Sequence, residues 1–292
     1  MVNKANNQLG VILADGRSSL WGKSQSVPTA FVPICGKSLL AQRIDELRDL
    51  GLQRILVISD EKKAIDAARV SLNAFSLSLD IVAPNEVVIG ESEDLIVTSA
   101  EQFSEPVLSN VSDVPQGAII YSRNGGPIGA FVKGHSIDAA IRALRGDGHK
   151  FDRLQSTVSS FLLDTVVSFI DVNLRVLRGS LTIPRISGLS VAPNVYLEWV
   201  LSAKPANIKG AAHIGDGAVL HPTARIRDCV VGRQATILPY AKLERCVVLA
   251  GATVPERAVY TDAVISDGLT VFGNASDTVR ELERFALESA IR

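Results

Sequence analysis

The chain has 292 residues, 47% apolar and 21% charged, with a net charge of -1. Those proportions exclude a disordered polymer and leave room for two domains, each with its own core. No concentrated Lys/Arg field marks a nucleic-acid partner, and no apolar run approaches the roughly 18 residues of a membrane span. Three cysteines cannot make a secreted-type disulfide framework, and none stands at a metal-ligand spacing. The opening MVNKANNQLGVILADG lacks the apolar core of a secretory signal, so the expected location is cytoplasmic.

Leu9 to Ala14 is a short apolar run ending at Asp15-Gly16-Arg17-Ser18-Ser19, which predicts a buried strand opening into a loop. Polar residues and Pro28 keep the chain irregular as far as Ala30. From Ser38 a helix is expected, because Leu40, Ile44 and Leu47 share one face and Gly51 ends it. Arg54 to Asp60 reads as a second strand, with Asp60 capping a helix over Glu61 to Arg69. Leu77 to Pro84 and Leu95 to Thr98 are the third and fourth strands. This alternation marks a parallel α/β sheet.

Between Gln116 and Gly134, GAIIYS and GAFVKG predict two short strands, and the intervening RNGGP supplies glycines for a tight or hairpin turn. Ser136 then caps a helix with Ile137, Ile141 and Leu144 inward and Gly146 at its end. Phe161 to Gly179 is strongly apolar and carries Asp164 and Asp171. Ser180 to Asn207 contains Pro184, Pro193 and Pro205 and reads as a linker, anchored by Trp199.

Ile214 to Asp267 stacks on itself when written in rows of 17 residues. Ile226, Leu243 and Tyr260 share one column, and Ile214, Val231, Val248 and Ile265 another; Leu220, Ile237 and Val254 form a third. Cys229, Cys246 and Ala263 share a fourth, which makes both cysteines reduced core thiols. Ala224, Ala241 and Ala258 form a small-residue column. Aliphatic spacings of 5, 6 and 6 fit neither an amphipathic helix nor strict strand alternation. They fit a triangular solenoid with three short strands per coil, whose coils must stack to bury their apolar faces. A final helix is expected after Ser276, with Val279, Leu282, Phe285 and Ala286 on one face. It would cover the open end of the solenoid or form a subunit contact.

The solenoid pattern resembles the left-handed parallel β-helix of hexapeptide-repeat proteins. Ile214 to Val259 is similar to the C-terminal module of sugar-1-phosphate nucleotidyltransferases, and left-handedness follows from that resemblance alone. In the N-terminal half, VILADG, VPICGKSLL and IDELRDLGLQRILVISD resemble the first strand, the following helix and the second strand of the same family. The match weakens between Glu61 and Gly179, where Asn173 to Gly179 resembles the end of the helix that closes the family's catalytic domain. The resemblance implies a Rossmann-like (GT-A-like) nucleotidyltransferase domain over residues 1–180 and a linker over 181–207. A short left-handed β-helix over 208–274 and a terminal helix over 275–292 complete the expected α/β architecture.

Such enzymes join a nucleoside triphosphate to a sugar-1-phosphate. Glycines admit backbone N–H groups to the phosphates, while cationic side chains and Mg²⁺ balance the charge. The resemblance places the nucleotide-contacting loop at Asp15, Gly16, Arg17 and Ser18, yet the loop departs from the family pattern. Asp15 and Ser18 stand where the family has glycines, and Leu20 replaces its arginine. Pro28-Thr29-Ala30 lacks the lysine of the family's Pro-Lys-Pro segment, and Ser99-Ala100 replaces the Gly-Asp pair that carries the first metal ligand. Arg17 and Glu101 are the substitute catalytic candidates. Asp94 and Asp171 are the metal candidates, with Asp164 competing.

The expected function is therefore a catalytically degraded relative that binds a nucleotide or sugar nucleotide. No cofactor is expected unless the site is active, which would require Mg²⁺. The β-helix or terminal helix would join copies of the chain or a partner protein, with neither nucleic acid nor membrane involved. Rival readings are an active transferase with a rebuilt site and a hexapeptide acyltransferase using His213 or His221 as general base. His213 is expected at a corner or on the surface. Two carboxylates converging opposite the loop after residue 14 would favour activity, whereas Leu20 or Trp21 filling the pocket would exclude it.

Overall fold

The computed structural model describes residues 8–15, 17–18, 27–60, 78–106, 116–146, 151–198, 207–266 and 269–273. Gly16, Leu20, Trp21, Trp199 and the helices expected at 61–69 and after 276 lie outside these residues, and Arg17 and Ser18 are described only as strand backbone. The chain is a mixed α/β protein with several sheets, some parallel, and few helices. Among the described residues no helix is long and apolar enough to cross a membrane. The described residues fall into two compact units. One lies within Met1–Arg17, Pro28–Phe31 and Leu39–Leu162; the other lies within Ser18–Val27, Val32–Ser38 and Leu163–Arg292.

In the first unit β1 (Gln8–Leu13), β2 (Arg54–Ile58), β3 (Ser78–Val82) and β4 (Asp94–Ser99) run parallel, in the spatial order β4-β1-β2-β3. Two further strands, β5 (Ala118–Tyr121) and β6 (Pro127–Lys133), form the expected antiparallel pair. β6 joins β4, and β7 (Asp152–Gln155) lies beyond β5. Val11, Ile12, Leu13, Val57 and Val97 have no exposed surface, as expected of strands buried on both faces.

Helix α1 (Leu39–Asp49) buries Leu40, Ile44 and Leu47 as the spacing predicts. Gly51, at φ +86°, turns the chain so that the Leu52 amide bonds back to Leu47. Ser136 flanks helix α2 (Ile137–Leu144), but its side chain makes no capping bond, because a 3₁₀ turn over Gly134–Ser136 leads straight into the helix. Ile137, Ala140, Ala143 and Leu144 pack beside the core residues of β1, β4 and β6.

The second unit is built on a 17-residue step. Ile214, Val231, Val248 and Ile265 are successive register partners on parallel strands. Ile226, Leu243 and Tyr260 form a second ladder, and Leu220, Ile237 and Val254 a third. All but the partly buried Tyr260 are buried in one apolar cluster, each contributing on the order of 1.5–3 kcal/mol of burial.

Left-handed backbone recurs at the same step and marks three corners per turn of chain. It occurs at Gly217, Gln234 and Gly251, at Tyr240 and Arg257, and at Asp228, Arg245 and Asp262. Cys229 and Cys246 are buried and free, as expected, and their thiols donate to the carbonyls of Arg227 and Glu244.

One side of this stack is also covered from outside. Helix α3 (Val166–Leu177), capped by reciprocal Thr165–Ser168 bonds, packs on the strands carrying His213, Val230 and Val264. His213, Val230, Val247 and Val264 form an outward column in which every member is buried. That corrects the expectation for His213, which is wholly enclosed rather than at a corner or on the surface.

Candidate functional site

The site follows from strand order. From β1 the chain proceeds to β2 and β3, then crosses back to place β4 on the other side of β1. Loops leaving the carboxyl ends of β1 and β4 must diverge, and such a switch point opens a crevice in α/β sheets. Four loops meet there: Ala14-Asp15 after β1, Ser59-Asp60 after β2, Pro84-Asn85 after β3 and Ala100-Glu101 after β4. They line an open crevice of about 540 Å³, with Arg145 from the end of α2 as its only lining cation among the described residues.

Backbone bonds fix the four loop ends. The Ala14 amide donates to the Ile58 carbonyl at 2.9 Å, and the Ala100 amide donates to the Leu13 carbonyl at 2.8 Å. The Ser59 hydroxyl holds the Ala14 carbonyl at 3.0 Å. Asp15 accepts the Asp60 amide at 3.1 Å through one oxygen and the Arg145 guanidinium at 2.5 Å through the other. The same guanidinium nitrogen lies 3.6 Å from Glu101 Oε1, a buried oxygen without a hydrogen-bond partner among the described residues.

Burial raises the Glu101 pKa above the ordinary carboxylate value, against the attraction of Arg145, and the neighbouring Asp15 charge adds to the rise. Burial thus favours the protonated form of Glu101, which can donate to a ligand hydroxyl as well as accept from one. Three carboxylates, Asp15, Asp60 and Glu101, face a single guanidinium. That balance suits hydroxyl-rich groups and disfavours a bare triphosphate.

The sequence candidates separate. Asp15 and Glu101 converge here, with Arg145 against both. Asp94 is at the other end of β4, opposite Gln8, where it pairs with Lys133 and accepts from Gln116. Asp171 belongs to the second unit and faces Arg175 across one helical turn at 3.6 Å, and Asp164 is exposed there. No group of three His, Cys, Asp or Glu residues is placed to hold a metal among the described residues. Arg145 takes the position a cation between Asp15 and Glu101 would need, so these residues do not fit the Mg²⁺ that an active transferase requires.

Arg145 had no signal of its own in the sequence. A cation at the C-terminal cap of a helix, where Arg145 stands, ordinarily reads as a complement to the helix dipole. Asp60 was visible as a helix cap, but not as a wall of the crevice.

The histidines offered for acyl transfer are differently placed. His213 has no exposed surface, lies 3.6 Å from Glu198 Oε1, and neither ring nitrogen has a hydrogen-bond partner among the described residues. Its ring packs on Gly36, where a Cβ would approach Cε1 to 2.6 Å. His221 is half-buried, with Nδ1 2.8 Å from the Thr223 hydroxyl. No protein-family model and no curated protein matches the chain.

Proposed function

We infer that the chain is a catalytically degraded member of the sugar-1-phosphate nucleotidyltransferase type. Its first unit is read as the Rossmann-like (GT-A-like) domain, whose crevice holds a nucleotide or sugar nucleotide without turning it over. Within its second unit, residues 208–274 are read as a short left-handed β-helix of hexapeptide-type coils, which with the terminal helix expected over 275–292 offers the surface that joins copies of the chain or a partner protein. A regulatory or assembly subunit combines these two roles.

One observation carries the reading: Arg145 is seated against Asp15 and Glu101 at the carboxyl end of β1. A triphosphate and Mg²⁺ would need that ion pair to open. The two converging carboxylates that an active site calls for are thus present, but a guanidinium already stands against both. The corners at a 17-residue step and the three parallel ladders support the β-helix. Enclosure of His213 weighs against an acyl-transfer base.

The deciding experiment is calorimetric titration with nucleoside triphosphates and nucleotide sugars. Each triphosphate is then incubated with mixed sugar-1-phosphates and Mg²⁺ while pyrophosphate is monitored. Saturable binding without pyrophosphate release is expected, with nucleotide sugars ahead of triphosphates because they carry fewer charges past Asp15 and Asp60. Release of pyrophosphate would instead establish an active transferase with a rebuilt site.

A further inference from the structure

The second unit carries a groove whose chemistry is opposite to that of the crevice. It has a volume of about 700 Å³ and is lined by Asn207, Arg225, Lys242 and Val259 along its strands, with Tyr240 and Arg257 at the adjoining corner. Pro222 and Thr223 complete its wall, and no carboxylate lines it among the described residues. Asn207, Arg225, Lys242 and Val259 are successive register partners, so their side chains project side by side at a spacing of about 4.8 Å.

Arg225 and Lys242 are therefore like charges on adjacent strands, an arrangement that costs stability when nothing lies between them. Among the described residues neither has an acidic partner. Two positions along the same strands, Lys209 stands beside Arg227, and Arg227 is met by Glu244 at 3.5 Å. Some compensation thus exists in that column, whereas Arg225 and Lys242 have none among the described residues. Among the described residues Arg257 has only the exposed Glu256 as an acidic partner, at 3.5 Å, and it lies over the Tyr240 ring at 5.8 Å from its centroid. Tyr240 itself is 54% exposed.

We propose that this groove is a binding site for a compact polyphosphate anion of the di- or triphosphate class. Arg225 and Lys242 bind adjacent phosphoryl groups, Arg257 closes the corner, and Tyr240 offers a ring face to whatever the phosphates are attached to. Arg225 brings the planar fork that suits bidentate phosphate recognition, and Lys242 a point charge. From Arg225 to Val259 is two strand spacings, about 10 Å, which matches a short phosphate chain rather than a nucleic-acid backbone. Occupation by an anion relieves the repulsion between the two cations. The site is independent of the crevice reading, and either can fail without the other.

Inorganic tripolyphosphate is the probe, titrated calorimetrically into the full chain without Mg²⁺. Saturable one-to-one binding is expected, weakening as salt rises. Arg225→Ala with Lys242→Ala should raise the dissociation constant at least about tenfold, since two charge-assisted contacts are lost. Val259→Glu, which adds a carboxylate beside Lys242, should do the same. Both variants should melt no lower than the parent, because neither side chain is needed to fill the stack. Glu101→Gln, in the crevice, should leave tripolyphosphate affinity unchanged.

Absence of saturation overturns the proposal, as does unchanged affinity in both groove variants. A preference for an oligonucleotide or poly-glutamate over tripolyphosphate at equal ionic strength overturns the assignment to a compact polyphosphate.

Discussion

Replacing Val248 by aspartate puts a carboxylate at the centre of the 17-residue stack, between Val231 and Ile265 in register. Val248 is 1% exposed, and no cation belongs to its apolar cluster. An unpaired carboxylate there stays neutral in the folded chain until its pKa is exceeded, and full burial raises such a pKa by as much as about 3–5. At pH 7 the lower figure, a rise of about 3, costs about 4 kcal/mol, and loss of the valine's burial adds about 1–2 kcal/mol. The sum lies in the range reserved for buried charges and large cavities. The linkage sign is definite: the folded pKa is raised, so the charge penalty grows above pH 4 and fades towards it.

Cys229 and Cys246 supply the assay, because both thiols are buried within the same cluster and label only when the stack opens. In Val248→Asp both should react rapidly with a thiol reagent at pH 7. Val259→Asp, at a position 65% exposed on the outside, should label as slowly as the parent. Equal labelling of the two variants would refute the inward and outward assignment of the columns.

The Glu198 carboxyl supplies an acid-limb prediction. Burial works to raise its pKa, but the His213 ring, the Asp216 amide and Arg233 together outweigh it and hold the value at about 2. Its contribution, no more than about 3 kcal/mol, is present above the unfolded value of 4.5 and lost as pH falls through about 2. Glu198→Gln should therefore flatten the loss of thermal stability over that window; an unchanged acid limb would remove Glu198 from the account.

Gly36→Ala should destabilise by about 1–3 kcal/mol in chemical denaturation, because the backbone is at φ +78° and the new methyl meets the His213 ring. Combining it with His213→Ala should recover part of that loss, and strict additivity would mean the ring is not the obstacle. Arg145→Met should release Asp15 and Glu101 and make nucleotide-sugar binding respond to Mg²⁺. Titrations identical with and without Mg²⁺ in that variant would show that the two carboxylates cannot be recruited.

The stack was legible because its packing allows little else. Each inward column must be apolar in every coil, so the 17-residue step is written directly into residue type. The faces of α1 and α2 were legible from the same apolar constraint, and the hairpin around RNGGP from its glycines, of which Gly125 is at φ +90°.

A single histidine beside a column aliphatic, as His213 is, gives no sign in the sequence that it is enclosed. Its column continues through Val230, Val247 and Val264, and three apolar residues on an outer face already signal that something covers them. Asp94 and Glu101 could also have been separated from the sequence. Seven positions along an extended strand span about 23 Å, so only the residue past the strand's carboxyl end can reach the crevice. The Asp15–Arg145 pair offered no comparable signal. The two residues are 130 positions apart, and only the sheet order brings them together.

Charge shows most plainly why local geometry must decide the ligand question. A net charge of -1 argues against any anionic partner only if the charges are spread evenly, and they are not. In the crevice of the first unit, where resemblance places phosphate recognition, the described carboxylates Asp15, Asp60 and Glu101 outnumber the one guanidinium, Arg145. In the second unit Arg225 and Lys242 stand in register with no acid between them. A nucleotide sugar and a bare polyphosphate should therefore report on different residues. Loss of nucleotide-sugar binding in Glu101→Gln, with tripolyphosphate binding intact, would place the two chemistries in separate sites. Loss of both in Arg225→Ala with Lys242→Ala would mean that the crevice contributes no phosphate recognition, and that the ligand assigned to the first unit binds through the second.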